Sequence, residues 1–175
     1  MKKVLLHICC GVCALHAIDR LKEDGFLVWG LFFNPNIYPH QEYQKRLDSC
    51  RCLKDLKSIE LIEEQYLAQD WLDLCQGFEK EPENGRRCLL CYAMRLERTY
   101  ELAKASKFDC FTTTLTISPH KNSRIINEMG NKIGGDYFLA CDFKKEDGFK
   151  KTIELAKQNN FYRQNYCGCV YSLTP

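Results

Sequence analysis

Three cysteines crowded into a short turn near the start of the chain constrain its fold more than any other feature. The apolar run at residues 4–8 predicts a buried strand, and residues 14–21 continue with helical spacing. Cys9, Cys10 and Cys13 therefore lie on a strand-to-helix turn. Free backbone N–H groups and the positive end of the helix dipole favour thiolate over thiol there. In an α/β sheet such a turn opens onto the ligand crevice, so we expect metal binding or electron exchange.

The rest of the chain alternates between strand and helix patterns. A loop with two prolines and two asparagines, residues 34–40, follows the second strand. This alternation predicts a mostly parallel sheet covered on both faces, a Rossmann-like three-layer α/β/α sandwich forming a single domain over residues 1–175. The predicted strands are 4–8, 27–33, 60–63, 110–116 and 137–140, and the predicted helices are 12–24, 41–57, 68–78, 88–106, 123–133 and 150–158.

The chain has twelve cysteines in 175 residues, no signal-peptide pattern and no apolar run of membrane-spanning length. We therefore expect a cytoplasmic protein with no membrane partner. In a reducing compartment, clustered cysteines indicate a metal, a cluster or a catalytic dithiol more often than disulfide staples. The formal charge of +2 neither demands nor excludes a nucleic-acid partner.

Two cysteine pairs from distant parts of the chain can form one four-thiolate site. Cys88 and Cys91 are three residues apart at the start of a predicted helix, so they share a face. Together with Cys9 and Cys10 they supply the Cys₄ set that zinc and iron–sulfur clusters both accept. The alternative is that these are small buried hydrophobic side chains.

The first turn also supports other interpretations. Cys10 and Cys13 form a Cys-x-x-Cys after a strand, as in thioredoxin-like dithiols. Cys13 is instead a candidate ligand of a second metal with His7 or His16, although a lone histidine is more often structural.

A Cys-Gly-Cys sequence in the aromatic C-terminal tail, residues 161–175, suggests a third chemistry. Cys167 and Cys169 can close a strained disulfide, and strained or exposed disulfides are the redox-active ones. The alternative is a pair of incidental thiols in a mobile tail. The remaining cysteines lack such an arrangement and are predicted to be structural: Cys50, Cys52, Cys75, Cys110 and Cys141.

Taken together, these segments resemble the QueH-type epoxyqueuosine reductases. The matching stretches run from one end of the chain to the other in the family's order, and the family often has proline where Val12 stands. They are LHICCGVC at 6–13, FNPNI at 33–37, RCLLCYAMRL at 87–96, FTTTLTISP at 111–119 and YRQNYCGCVYS at 162–172.

The resemblance implies a fold of the adenine-nucleotide α-hydrolase type and reduction of the epoxide of epoxyqueuosine to queuosine at the tRNA wobble position. It further implies that Cys9, Cys10, Cys88 and Cys91 hold a [4Fe–4S] cluster and that Cys167 and Cys169 are the redox-active, catalytic pair. Some members hold an additional mononuclear metal ion, iron or zinc, for which Cys13 and His7 are the candidate ligands. ATP use is not expected, because cysteines replace the pyrophosphate loop.

The implied partners are a tRNA carrying epoxyqueuosine in its anticodon loop and an electron donor that the sequence does not identify. Two groups of side chains are candidates for the tRNA contact, through phosphate binding and base stacking. They are Arg86, Arg87 and Arg95, and Tyr38, Tyr162 and Tyr166. Two other functions stay open on local grounds: a thioredoxin-like dithiol oxidoreductase and a zinc-binding RNA-interaction module.

Overall fold

Four parallel strands form the sheet of this protein, whose computed structural model describes residues 1–173. The strands are β1 (Lys3–His7), β2 (Leu27–Phe32), β3 (Glu60–Glu63) and β4 (Cys110–Thr113), in the spatial order β3-β2-β1-β4. The central strand β1 pairs with β2 and with β4, so its carboxyl end lies in the middle of one edge of the sheet. In a sheet of this type ligands bind at that edge.

Helices cover both faces of the sheet. They are α1 (Gly11–Glu23), α2 (His40–Lys57), α3 (Ala68–Leu74), α4 (Arg86–Ala105), α5 (Ser123–Gly134) and α6 (Gly148–Gln158). Helix α1 packs against α2 and α6, while α4 packs against α5. The predicted three-layer α/β/α sandwich with a parallel sheet is confirmed.

The alternation of side chains along β1 explains why both layers form. Val4, Leu6 and Ile8 are buried in the core under α1, α2 and α6, whereas Leu5 is buried in the core under α4 and α5. A strand buried on both faces needs a continuous apolar run, and residues 4–6 supply one. None of the helices among residues 1–173 is long and apolar enough to cross a bilayer.

The structure differs from the sequence-based prediction at the fourth and fifth strands. The predicted strand at 110–116 ends at Thr113, because a 3₁₀ turn over Thr114–Ile117 follows and the Thr113 hydroxyl accepts from the Leu115 amide. The predicted strand at 137–140 is wrong: only an isolated bridge between Phe111 and Phe138 forms there. A 3₁₀ turn occupies residues 135–137, so too little extended chain remains. Of the predicted tail, residues 174–175 lie outside the described part.

Candidate functional site

The three thiols of the first turn lie together at the carboxyl end of β1. The sulfurs of Cys9, Cys10 and Cys13 are all within 4.8 Å of one another, and those of Cys9 and Cys10 are 3.9 Å apart. Within residues 1–173 this is the only group of three or more His, Cys, Asp or Glu ligand atoms that meets this distance. The group can bind a metal ion, because thiolates converging from one short turn need little rearrangement to do so.

The three thiols of the first turn differ in their pKa values. Hydrogen bonds from Cys10 and Cys13 lower the pKa of Cys9 well below its usual value. The bond with Cys13 alone would lower the pKa of Cys10, but its hydrogen bond with Cys9 and burial raise it to about 12. The pKa of Cys13 is raised, first by its hydrogen bond with Cys10. The hydrogen bonds within the turn thus favour the thiolate form at Cys9 and the thiol form at Cys10 and Cys13, and a metal would displace the remaining protons.

His7, at the end of β1, is fully buried and already has two hydrogen-bond partners. Its Nδ1 lies 2.9 Å from the Thr113 hydroxyl and its Nε2 lies 3.1 Å from the carbonyl oxygen of Phe33. Burial, assisted by the charge of Arg95, lowers the pKa of His7 to about 4, so the ring is neutral at pH 7. To bind a metal His7 would have to exchange one of these bonds, and its role as a ligand stays a prediction.

The second predicted pair lies on the first two turns of α4. Helix α4 begins at Arg86, so Cys88 is its third residue, and the Asn84 amide donates to the Cys88 sulfur over 3.3 Å. The Arg95 guanidinium donates to the Cys91 sulfur over 3.0 Å and to the Cys91 carbonyl over 3.0 Å. Burial raises the pKa of Cys91 to about 12 and that of Cys88 above its usual value. Both side chains are therefore thiols in the absence of a metal.

The C-terminal tail lies against α2 and is held there by a buried ion pair. Arg46 is 3% exposed and its Nε donates to Glu42 over 2.7 Å. The two outer nitrogens of Arg46 donate to the carbonyls of Cys167 (3.0 Å) and Tyr166 (3.1 Å). The Tyr38 amide donates to the next carbonyl, that of Gly168, over 2.7 Å. Three consecutive carbonyls are thus fixed, so the Cys-Gly-Cys turn has a defined position.

The tail reaches both other segments, through its sulfurs at α4 and through Gln164 at the first turn. Negative charge on either tail sulfur would raise the pKa of Cys88 and Cys91, and Cys169 packs in the same small cluster as Cys91. Upstream in the tail, the amide of Gln164 donates to the Cys10 sulfur over 2.8 Å. All twelve cysteines of the chain are free thiols in this structure. The first turn, the start of α4 and the tail therefore converge at one edge of the sheet.

Buried positive charge surrounds the converging thiols. The guanidinium of Arg95 is buried, and the ammonium of Lys121 lies 3.6 Å from the Cys167 sulfur. No carboxylate of the described residues lies within 4.0 Å of either cation. Isolated buried cations are costly, so an anionic partner is needed. The sulfurs of Cys91 and Cys167, to which these two cations donate, can supply it.

The four predicted ligands do not have the spacing that one zinc ion requires. Four sulfurs each 2.3 Å from one tetrahedral ion are roughly 3.8 Å apart. Among the residues that the structure describes, neither Cys88 nor Cys91 joins a group with the first turn even at 4.8 Å. A cluster of several irons takes each thiolate on a different iron, so its ligands are farther apart.

The predicted tRNA contacts need one correction. Arg87 and Arg95 are buried, at 4% and 3% exposure, and cannot reach phosphates. Arg87 instead donates to the carbonyls of Phe78, Glu79 and Glu81, which holds the loop before α4. Arg86 is exposed and remains available.

The tyrosines differ in their freedom to stack on bases. Tyr38 is 50% exposed. The hydroxyls of Tyr162 and Tyr166 donate to Glu42 and to the Tyr38 carbonyl, respectively, so these two rings help to hold the tail.

Four polar residues of the site were not predicted from the sequence. Arg46 and Glu42 are four residues apart on α2, a spacing typical of an ion pair, and that was the only signal they gave. Lys121 lies in a loop after the 3₁₀ turn, where no pattern marks it. Gln164 belongs to the matching stretch at 162–172, but nothing in that stretch sets it apart from its neighbours.

Comparisons with known proteins agree with the resemblance. The family model described as epoxyqueuosine reductase QueH matches residues 4–175. A protein of that name from Haemophilus influenzae is 37% identical over 175 residues, which cover 98% of this chain and 71% of the relative. One from Streptococcus pyogenes serotype M1 is 35% identical over 178 residues, covering 97% of this chain and 69% of the relative. One from Thermotoga maritima is 33% identical over 179 residues, covering 99% and 91%.

Proposed function

Because the chain belongs to the QueH family of epoxyqueuosine reductases, which are oxidoreductases, we propose that it reduces the epoxide of epoxyqueuosine at the tRNA wobble position to the alkene of queuosine. The observation that carries this proposal is the convergence of three cysteine-bearing segments at one edge of the sheet. The proposal places the activity in one catalytic domain, residues 1–175, and in the cytoplasm, where free thiols persist.

A [4Fe–4S] cluster held by Cys9, Cys10, Cys88 and Cys91 is the first part of the proposal. The donor set supports this, because Cys9 packs against the apolar cluster that contains Cys88, and the buried Arg95 guanidinium donates to Cys91. When bound, such a cluster supplies single electrons and a Lewis-acidic iron. Cys13, with His7, is proposed to hold an additional mononuclear iron or zinc ion, since its sulfur lies within 4.8 Å of those of Cys9 and Cys10.

Cys167 and Cys169 are proposed to supply the electron pair. Converting an epoxide to an alkene consumes two electrons and two protons and releases one water. Closing two thiols into a disulfide releases the same two electrons and two protons, so the two half-reactions balance. The pair lies on a fixed turn beside Cys88 and Cys91, where these electrons are needed.

The partners in this proposal are the anticodon loop of a tRNA and an electron donor. Arg86 is exposed at the start of α4 and can contact a phosphate. Tyr38 is half exposed beside the tail and can stack on a splayed base.

The test is an anaerobic purification followed by an absorption spectrum, iron and sulfide analysis, and an assay on epoxyqueuosine-containing tRNA. We expect a brown protein with about four irons and four sulfides per chain. Cys88→Ala and Cys91→Ala should lose the colour and the activity. Cys52→Ala is the matched control, because this thiol is exposed on α2 and outside the site.

Three outcomes would reject parts of the proposal. A colourless protein with one zinc per chain would indicate the zinc-binding RNA module. A colourless, metal-free protein that reduces disulfides through Cys10 and Cys13 would indicate the thioredoxin-like function. A Cys167→Ser variant with full multiple-turnover activity would remove the tail pair from the electron path.

A further inference from the structure

The two thiols of the tail lie in different surroundings. Cys167 is partly exposed and its sulfur accepts a hydrogen bond from the Lys121 ammonium over 3.6 Å. Cys169 is 6% exposed, packs with Trp71 and Cys75, and its sulfur lies 3.5 Å from the Ser172 hydroxyl. One sulfur therefore faces a cation and solvent, and the other faces an apolar cluster.

Lys121 is fixed where it can act on Cys167. It belongs to the turn between the 3₁₀ segment Thr114–Ile117 and α5, and the Lys144 ammonium donates to both ends of that turn. Those bonds reach the carbonyls of Ser118 (3.3 Å) and Lys121 (2.6 Å). Burial alone would lower the pKa of Lys121, but the charges of Cys167 and Tyr92 outweigh it and raise the pKa. The ammonium therefore stays charged at neutral pH.

Other charged and titratable groups also face Cys167. From α4 its charge acts on Arg95, Tyr92, Cys88 and Cys91. From α2 the Arg46 guanidinium is bound to its carbonyl. Lys121 is the cation whose hydrogen bond reaches the Cys167 sulfur itself, whereas Arg95 donates to the Cys91 sulfur.

We propose that the Lys121 ammonium and solvent access make Cys167 the reacting sulfur of the pair and leave Cys169 as the buried resolving thiol. The inference rests on the redox role proposed above for the two cysteines. Lys121 is a positioning residue in this scheme, since it acts through the Cys167 sulfur. A thiolate is the attacking species in thiol exchange and, beside a cation, also the better leaving group.

The asymmetry assigns an order to the regeneration of the pair by an external dithiol. One thiolate of that dithiol attacks the Cys167 sulfur of the disulfide, which forms a mixed disulfide and releases Cys169 as a thiolate that takes up a proton. The second thiolate of the dithiol then attacks the dithiol's first sulfur in the mixed disulfide. This closes the dithiol into a disulfide and releases Cys167 beside Lys121. The dithiol leaves as a disulfide, so two electrons have passed to the protein. Cys169 is too buried to be the entry point.

The experiment measures the alkylation of each tail thiol in the anaerobically purified protein. Trypsin cleaves after Arg163, and the peptide that begins at Gln164 contains Cys167 and Cys169 and no other cysteine. Pulses of iodoacetamide at pH 7 followed by fragmentation of this peptide give both rates. The variants are Lys121→Met, Lys121→Arg as the charge-conserving rescue, and Lys150→Met as an exposed-lysine control.

We expect Cys167 to react at least tenfold faster than Cys169 in the wild type, because the charge and the exposure act together. Lys121→Met should slow Cys167 about tenfold, while Lys121→Arg and Lys150→Met should stay within about threefold of the wild type. Dithiothreitol should reduce the oxidised pair more slowly in Lys121→Met. Equal rates for the two thiols in the wild type, which needs no variant to fold, would overturn the proposal. So would an unchanged Cys167 rate in Lys121→Met, or protection of Cys167 that chelation of iron removes.

These rates do not depend on turnover of tRNA. If Cys167→Ser kept full reductase activity, the electron relay would be wrong, whereas the measured asymmetry between the thiols would still stand. If the relay were correct and the asymmetry absent, only the role of Lys121 would fail.

Discussion

Replacing Arg46 by methionine should destabilise the protein and release the tail, and the two effects can be separated. The Arg46 and Glu42 side chains are 3% and 8% exposed, so removing the cation leaves a buried carboxylate without its partner. Breaking a buried pair in this way costs about 3–5 kcal/mol of unfolding free energy. Arg46→Met should lower the free energy of unfolding in urea by that amount.

The local effect follows from the two carbonyls that Arg46 holds. Hydrogen bonds to a charged group contribute about 1.5–3 kcal/mol each, so losing the bonds to Tyr166 and Cys167 weakens tail docking by at least about 3 kcal/mol. The amide of Tyr38 donates to Gly168 of the tail and reports on this docking. Its hydrogen exchange should accelerate about a hundredfold.

The double variant Arg46→Met with Glu42→Leu supplies the control. It leaves no buried charge, and apolar replacement of a buried pair is often neutral, so the free energy of unfolding should largely return. The exchange of the Tyr38 amide should stay fast, because the tail still lacks its donors. Wild-type exchange in the single variant, or its return in the double variant, would refute the argument that Arg46 fixes the tail.

Three further results are expected. Burial lowers the pKa of His7 from 6.5 to about 4, so the unfolded chain binds the proton more readily than the folded chain does. The free energy of unfolding therefore falls as the pH drops below 6.5. Urea unfolding between pH 6.5 and pH 5 should show a loss of about 2 kcal/mol, and His7→Gln should lack this loss. A Cβ on Gly11 would lie 2.3 Å from the Ser49 hydroxyl, so Gly11→Ala should lower the melting temperature and the iron content. Gly77→Ala is the control, because nothing lies within 4 Å of a Cβ there. It should lower the free energy of unfolding by about 1 kcal/mol and leave the iron content unchanged. Arg86→Glu should weaken tRNA binding and reduce its salt dependence by about one counterion, and an unchanged salt slope in filter-binding assays would remove this residue from the interface.

The sequence predicted the layers of the fold because both faces of the central strand are buried. Residues 4–6 are continuously apolar, and helical patterns separate the strands. Together these two patterns predict a parallel sheet with helices on both faces. The predicted strand at 137–140 failed because its apolar residues are used for packing instead: Phe138 is 6% exposed and contacts Phe111 through its ring. Local composition does not distinguish these two uses.

Residue type and spacing marked Cys9, Cys10 and the pair on α4 as candidate ligands, and that role stays a prediction. The site was not predictable where burial changes what a side chain does. Arg87 looked like a phosphate contact, yet its guanidinium donates to three carbonyls inside the protein. The sequence did not mark Lys121 as a site residue, because the sulfur that it contacts, that of Cys167, is 46 residues away in the chain.

The bond between Gln164 and the Cys10 sulfur has a consequence for the order in which this molecule assembles. It joins residues 154 apart in the chain, and the bond between His7 and Thr113 joins residues 106 apart. Such distant contacts carry the largest loop-closure entropy and form late in folding. Until the tail docks, the thiols of the first turn lack the hydrogen bond from Gln164. If the first turn binds a metal as proposed, its thiols are therefore most open to that metal after β1 and β4 have paired and before the tail docks.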